Sequence, residues 1–265
     1  FHCVDVLTGI TMAQVIKPGA PVLFGGAPAT FHMRAASAPM AAIEAQRLNV
    51  AYVAIAKSLG LPTQAYMALS DGKFLDAQAG AETMSSALLA ALAGVNSVSG
   101  PGMLDFVLTF SLPKLLFDNE VCGQCLNFVR ETQVLEDIPA GGLVDEVRAH
   151  DHLITSPHTL KYWPQELYLT DPVIDRENRE TWVKQGSKDL QARAAEQVER
   201  RLSSYVQVET DAAADAEMRR MIVAGLKDQK NLPVLPPPPE HSAAAAAPGR
   251  RRTGRRPQAT ARSEC

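Results

Sequence analysis

Between Pro21 and Arg130, short apolar runs alternate with longer stretches in which apolar residues recur at helical spacing. Pro21-Val-Leu-Phe24 is closed by Gly25-Gly26 and reads as a buried strand. Ser37 as cap and Pro39 in a first turn open a helix with Leu48, Tyr52, Ile55 and Leu59 on one face, ended by Gly60. Thr63 to Met67 is the second strand, and the helix over 79–93 packs Met84, Leu88 and Leu92 before Gly94. Asn96 to Ser99 is the third strand. Ser111 and Pro113 then open a helix that places Leu115, Cys122, Leu126 and Val129 on one buried face. Three strand-helix units in succession predict an α/β fold with parallel strands covered by helices. Three units do not close a barrel, which needs eight, and spacing alone accommodates an open doubly wound sheet equally well.

The flanks carry helices and no clear strands. Val4 to Ile16 reads as a helix stopped by Lys17-Pro18-Gly19. Beyond Arg130 the pattern predicts a short polar helix or turn over Asp145 to Asp151 and an extended arm over His158 to Pro164. One long helix follows from Trp182 to Tyr205, packed through Trp182, Leu190, Ala194, Val198 and Leu202. A last helix from Ala212 to Asp228 presents Met218, Ile222 and Leu226. Pro236 to Pro239 ends the ordered part. The expected organisation is a structured region over 1–233 and a disordered Pro/Ala/Arg-rich tail over 234–265, whose composition cannot offset its ordering entropy. A solvated tail is the plain reading, and a basic anchor for nucleic acid or an acidic protein is the alternative.

Composition narrows the function classes. The 265 residues include 46% hydrophobic ones, enough for a substantial core, and the formal net charge of -3 gives no reason to expect nucleic acid or an anionic membrane as partner. No apolar run is long enough to cross a bilayer, and the start lacks a basic segment leading into a short apolar run and cleavage site, so a cytoplasmic location is expected. Four cysteines, Cys3, Cys122, Cys125 and Cys265, are too few and too scattered for a disulfide framework.

The chemistry concentrates after the second strand. Ser70, Asp71, Lys73, Asp76 and Gln78 lie in one polar loop at the carboxyl end of a strand, where α/β proteins carry their sites. Asp71 and Asp76 bracket Lys73. The bland account is that Asp76 or its neighbour caps the next helix and Lys73 makes a weak surface ion pair. A lyase or aldolase using Lys73 as a Schiff-base nucleophile is the enzymatic rival. Cys122-Gly-Gln-Cys125 lies inside a helix without a second pair, which favours core thiols over a metal or redox centre. His32 follows a glycine-ended strand and is open to a substrate contact. His150, His152 and His158 fall in irregular polar sequence, and no metal site is expected. Gly25-Gly26 and Gly100-Pro101-Gly102 are either tight turns or amide cradles for a phosphate.

The loop run Ser70-Asp-Gly-Lys-Phe-Leu-Asp-Ala-Gln-Ala-Gly80 resembles the Asp-x-Lys-x-x-Asp-x-Gln-x-Gly pattern of the trimethylamine methyltransferase family. Lys17 to Gly25, Ala93 to Leu104, Phe117-Asp-Asn-Glu-Val121 and Gly186-Ser-Lys-Asp-Leu190 resemble family segments in the same order, so the likeness runs to about Pro233. The resemblance implies the carboxyl-terminal part of a TIM-type (β/α)8 barrel followed by C-terminal helices. The amino-terminal part of that barrel would then be absent, making the chain a fragment, a truncated product or a non-catalytic remnant. Open strand edges in half a barrel predict poor solubility or a homo-oligomer.

The implied activity moves a methyl group from a methylated amine to a Co(I) corrinoid (cobalamin) carried by a separate partner protein, with no cofactor held tightly by this chain. The family's trimethylamine enzymes use pyrrolysine, and no such residue occurs here, so the resemblance is to the branch acting on glycine betaine and related quaternary amines. On this reading Asp71, Lys73 and Asp76 are catalytic. Tyr66, Phe74, Gln78, Phe31, His32 and Arg34 bind substrate, and Gly25, Gly100 and Gly102 face the cofactor. Phe106 joins Tyr66, Phe74 and Phe31 as an aromatic face for the cation.

Overall fold

The computed structural model describes residues 1–133, 135, 140–206 and 210–226. The expected tail over 234–265, the boundary at 233 and the end of the last helix at Asp228 lie outside them. The chain divides into one unit over Phe1–Leu202 and a second from Ser203 onward.

In the first unit the amino-terminal helix α1 (His2–Ile16) precedes the segment containing Phe24. Then come α2 (Ile43–Ser58), β1 (Gln64–Ala65), α3 (Ala77–Leu92), β2 (Ser97–Val98), a small hairpin of β3 (Met103–Leu104) and β4 (Thr109–Phe110), and α4 (Leu112–Phe128). Phe24 bridges Thr63 in parallel, and β1 pairs with β2 in parallel, Gln64 opposite Ser97 and Ala65 opposite Val98. The three expected strands therefore run side by side in one direction, shorter than the apolar runs suggested. Three parallel segments do not define a closed barrel, and the observed class is mixed α and β with little sheet.

Two apolar clusters pack around this ribbon. Phe24, Ala65 and Met67 meet Tyr52, Val53 and Ala56 of α2, with Cys3, Val6, Leu7 and Ile10 of α1 against them. Ala68, with Ala87 of α3, meets Phe117, Val121 and Cys125 of α4 and also Val173 and Ala194. The buried helix faces differ in part from those expected, with Tyr52 buried as the spacing predicts. In α2 Leu48, Ile55 and Leu59 are exposed while Ala45, Gln46, Asn49, Tyr52, Val53 and Ala56 are buried. In α3 Met84 and Leu92 are exposed, and Ala79, Thr83, Ser86, Ala87 and Ala90 face inward. The inward residues of α3 are all small and let the helix approach its neighbours closely, so its stripe of largest residues was not the packed one. In α4 the inner face is Lys114, Phe117, Asp118, Val121 and Cys125, while Leu126 and Val129 are exposed.

Helix starts follow the chemistry of their caps. Ser111 accepts from the Lys114 amide and Asp76 Oδ1 accepts from the Ala79 amide. Ser37 is instead bridged to His32, and α2 begins later, after Ala42. Further on, the expected short polar helix or turn is a helix, α5 (Gly141–His150), which starts four residues earlier than Asp145. The expected arm at His158 is a helix, α6 (Pro157–Glu166), because Ser156 caps it and Pro157 suits its first position, while Pro164 falls in its last turn. The expected long helix from Trp182 is two, α7 (Arg179–Lys184) and α8 (Leu190–Ser203), broken where Gly186 and Ser187 take φ of +94° and +53°. Between α6 and α7 the chain crosses α4. Glu120 accepts from the Asp171 amide at 2.9 Å and from the Tyr168 hydroxyl at 3.4 Å, and the Tyr168 ring fills the space that a side chain at Gly123 would need.

In the second unit the described residues include the helix α9 (Ala212–Gly225), capped by Asp211, with Met218 and Ile222 exposed. Among the described residues no helix is long and apolar enough to cross a membrane.

Candidate active site

The carboxyl ends of the three parallel segments are laced together by Gln64. Its Oε1 accepts from the Gly26 amide at 3.2 Å and its Nε2 donates to Ser99 Oγ at 2.9 Å. A side chain at Gly25 would strike Gln64, and one at Gly100 would strike the Met67 carbonyl, so both glycines are required by close approach. Beyond this edge stands the polar loop. The Ser70 amide donates to the Met103 carbonyl, and the Asp105 amide to the Gly72 carbonyl at 2.9 Å, which joins the loop to the segment after β3.

Asp71 is nearly buried and its two carboxylate oxygens accept from the amides of Met40 and Ala41 at 3.0 and 2.9 Å. Burial raises its pKa above the ordinary carboxylate value, against the pull of those two amides. Lys73 is more than half exposed and points the other way. Its ammonium donates to the Asp71 carbonyl at 2.9 Å, pairs with Asp105 at 3.3 Å, and lies 4.2 Å from the centre of the Phe106 ring. Neither bracketing aspartate is its ion-pair partner. Asp76 spends one carboxylate oxygen on the α3 cap, and Gln78 donates to Glu82 at 3.0 Å. Tyr66 is half-buried and Phe74 is exposed.

Phe31, His32 and Arg34 come together elsewhere. With Thr30, Met33, Pro39, Ala42 and Glu44 they line a cavity of about 420 Å³, whose wall includes none of residues 66–78. His32 Nδ1 accepts from the Ala35 amide at 3.1 Å, a local turn contact. The Gly102 amide is already committed, donating to Asp118 at 2.6 Å, and is not free to cradle a phosphate.

Two features of this region went unread in the sequence. Glu82, on α3, gathers Ser70 Oγ at 2.6 Å, the Asp71 amide at 2.9 Å and Gln78, and so fixes the loop. Lys114 and Asp118 form a fully buried ion pair at 2.5 Å, with Thr83 accepting from the ammonium at 3.0 Å. Burial raises the Asp118 pKa, Lys114 opposes the rise, and Asp118 Oδ1 is buried with no hydrogen-bond partner. Their spacing of four between the apolar residues of α4 was the available signal. The cysteine pair sits where the plain reading put it: Cys125 is buried 3.7 Å from the Met84 sulfur, and burial pushes the Cys122 thiol up to about 11. Among the described residues no group of three or more His, Cys, Asp or Glu side chains gathers as a metal site.

A model of the trimethylamine methyltransferase family matches residues 2–228, a stretch that takes in the whole laced edge and the loop beyond it. The chain belongs to the trimethylamine methyltransferase family. It is 33% identical over 219 residues to the glycine betaine methyltransferase of Desulfitobacterium hafniense, an alignment covering 82% of this chain and 45% of that protein. It is also 33% identical over 222 residues to a trimethylamine methyltransferase of Methanosarcina mazei, covering 83% and 44%. A third, from Methanosarcina thermophila, is 33% identical over 198 residues, covering 74% and 40%. The chain thus spans less than half the length of these curated relatives. The run Ser70 to Gly80, within the matched stretch, is the segment that Glu82, Asp105 and the α2 entry hold in place.

Proposed function

We propose that this chain is the carboxyl-terminal part of a methyltransferase that takes a methyl group from a quaternary methylated amine such as glycine betaine and delivers it to a corrinoid carried by a separate protein. The observation that carries this reading is the family match over residues 2–228, with the family motif seated at the carboxyl ends of parallel strands. On this reading the remainder of a TIM-type barrel would correspond to the part of the relatives that lies outside the aligned stretch. The corrinoid is the methyl acceptor, and the work left to the protein is binding, charge placement and exclusion of water from the amine.

The substrate choice follows from leaving-group chemistry. A quaternary ammonium is already cationic and departs as a neutral amine, whereas a tertiary amine must first be activated. Lys73, Asp105 and the Phe106 ring offer charge and an aromatic face at the loop, and Asp71 holds the loop in place from its buried side. The Schiff-base alternative is less well served. Lys73 is exposed and held by a carboxylate and a carbonyl, which is not the desolvated amine that such a nucleophile requires.

The test is methyl transfer by the complete enzyme to cobalamin reduced to Co(I), followed by its absorbance change. Glycine betaine is expected to react and trimethylamine to be inert. Turnover of trimethylamine alone would overturn the substrate assignment, and no methyl transfer from any methylated amine would overturn the activity.

A further inference from the structure

The Lys73 ammonium rests in a setting that suits a different cation better. It meets the face of Phe106, the carboxylate of Asp105 and the backbone carbonyl of Asp71. An aromatic face with a carboxylate beside it is the combination that recognises a methylated ammonium, whose charge is spread over its methyl groups and which has no N–H to donate. Lysine reaches this corner on a flexible stem whose side chain is 55% exposed, so no packed surface resists its leaving.

The corner itself is held. Asp105, Phe106 and Val107 all take left-handed backbone, with φ of +50°, +55° and +71°. Three successive L-residues, one of them β-branched, adopt that conformation only where the surroundings enforce it. The enforcing contacts are backbone hydrogen bonds: the Asp105 amide donates to the Gly72 carbonyl, the Leu108 amide to the Asp105 carbonyl, and the β3–β4 pairing closes the ends. The bend presents the Phe106 ring and Asp105 carboxylate to the same point in the loop mouth.

We propose that Phe106, Asp105 and the Asp71 carbonyl form the subsite for the quaternary ammonium group of the substrate, and that Lys73 occupies it as an internal stand-in cation which the substrate displaces. The proposal rests on the reading of the substrate given above. Lys73 then lowers the apparent affinity for the amine by the fraction of time it fills the corner, and once displaced it is free to meet a carboxylate on the same substrate.

The experiment is an NMR titration of the chain with tetramethylammonium chloride at ionic strength held constant with sodium chloride. Lys73→Met is expected to bind about three- to tenfold tighter than the unaltered protein, because the competitor is gone. Lys73→Arg, which keeps a cation in the corner, should stay near the unaltered value. Phe106→Leu should bind about three- to thirtyfold more weakly through loss of the ring face. Lys73 is exposed, so both its variants should fold, and a matching circular-dichroism spectrum checks this. Equal or weaker binding by folded Lys73→Met, or no binding by either it or the unaltered protein, overturns the proposal. Failure here is distinguishable from failure of the activity. Tighter binding by Lys73→Met with no methyl transfer from any quaternary amine in the complete enzyme would retain the subsite and discard the reaction. Methyl transfer from glycine betaine with no gain in Lys73→Met would do the reverse.

Discussion

Residues 100–107 are gripped near both ends by lysine-aspartate pairs of opposite character. At Gly102 the amide is bound by Asp118, which is paired with Lys114, and neither side chain has any exposed surface. At Asp105 the partner is Lys73, which stands more than half in solvent. A buried pair with one orphaned oxygen is an anchor, costly to form and costlier to break. A solvated pair contributes little to stability and is free to exchange. The contrast separates the part of the loop that fixes position from the part that can change partners.

Breaking the anchor should give the largest effect. Lys114→Met leaves Asp118 buried and unpaired and should cost about 3 to 5 kcal/mol in urea unfolding. Adding Asp118→Leu should recover part of that loss, since the uncompensated charge goes with it while the Gly102 amide loses its acceptor. A double variant as unstable as the single one would show that packing, not charge, governs the site.

A middle-sized effect is expected at Asp71→Asn, which keeps one amide acceptor and loses the other, at about 1 to 3 kcal/mol. The pH dependence has a definite sign. Asp71 and Asp118 both have pKa values raised above 3.8 by burial, so over the interval between that value and the raised one the native state binds more protons than the unfolded chain. Stability therefore falls as pH rises through that interval, and Asp71→Asn should make the fall shallower by removing one contributor. Unfolding midpoints measured from pH 3.5 upward check this.

The smallest effect belongs to the solvated pair. Lys73→Met should change the unfolding free energy by no more than about 0.5 kcal/mol. Raising the salt concentration should shift the side-chain resonances of Lys73 while leaving those of Lys114 in place, because only the exposed pair is screened.

The parallel ribbon was legible because each strand is an apolar run closed by glycine or a polar loop, and α3 and α4 have readable starts at Asp76 and Ser111, whereas α2 begins after Ala42 without a side-chain cap. What escaped were features set by distant residues. Lys73 was expected between Asp71 and Asp76, yet its partner Asp105 arrives from beyond β3. Asp71 turns to the start of α2, which no local spacing announces. The inner face of α3 is made of alanine, serine and threonine and that of α2 includes Gln46 and Asn49, none of which stands out among the larger apolar residues. The break between α7 and α8 was visible in Gly186, but the helical periodicity on either side of it masked the interruption. The expected substrate residues Phe31, His32 and Arg34 line a cavity whose wall includes none of residues 66–78.

The glycine between the two cysteines of α4 has a reach that the motif conceals. Tyr168 lies where a methyl group at Gly123 would stand, and its neighbour Asp171 is tied to Glu120 on the same helix. Gly123→Ala would thus act as a wedge, lifting a segment remote in sequence and severing its amide contact with Glu120. The visible result would be a new protease cut between α6 and α7, with the cysteines on either side of the change chemically untouched.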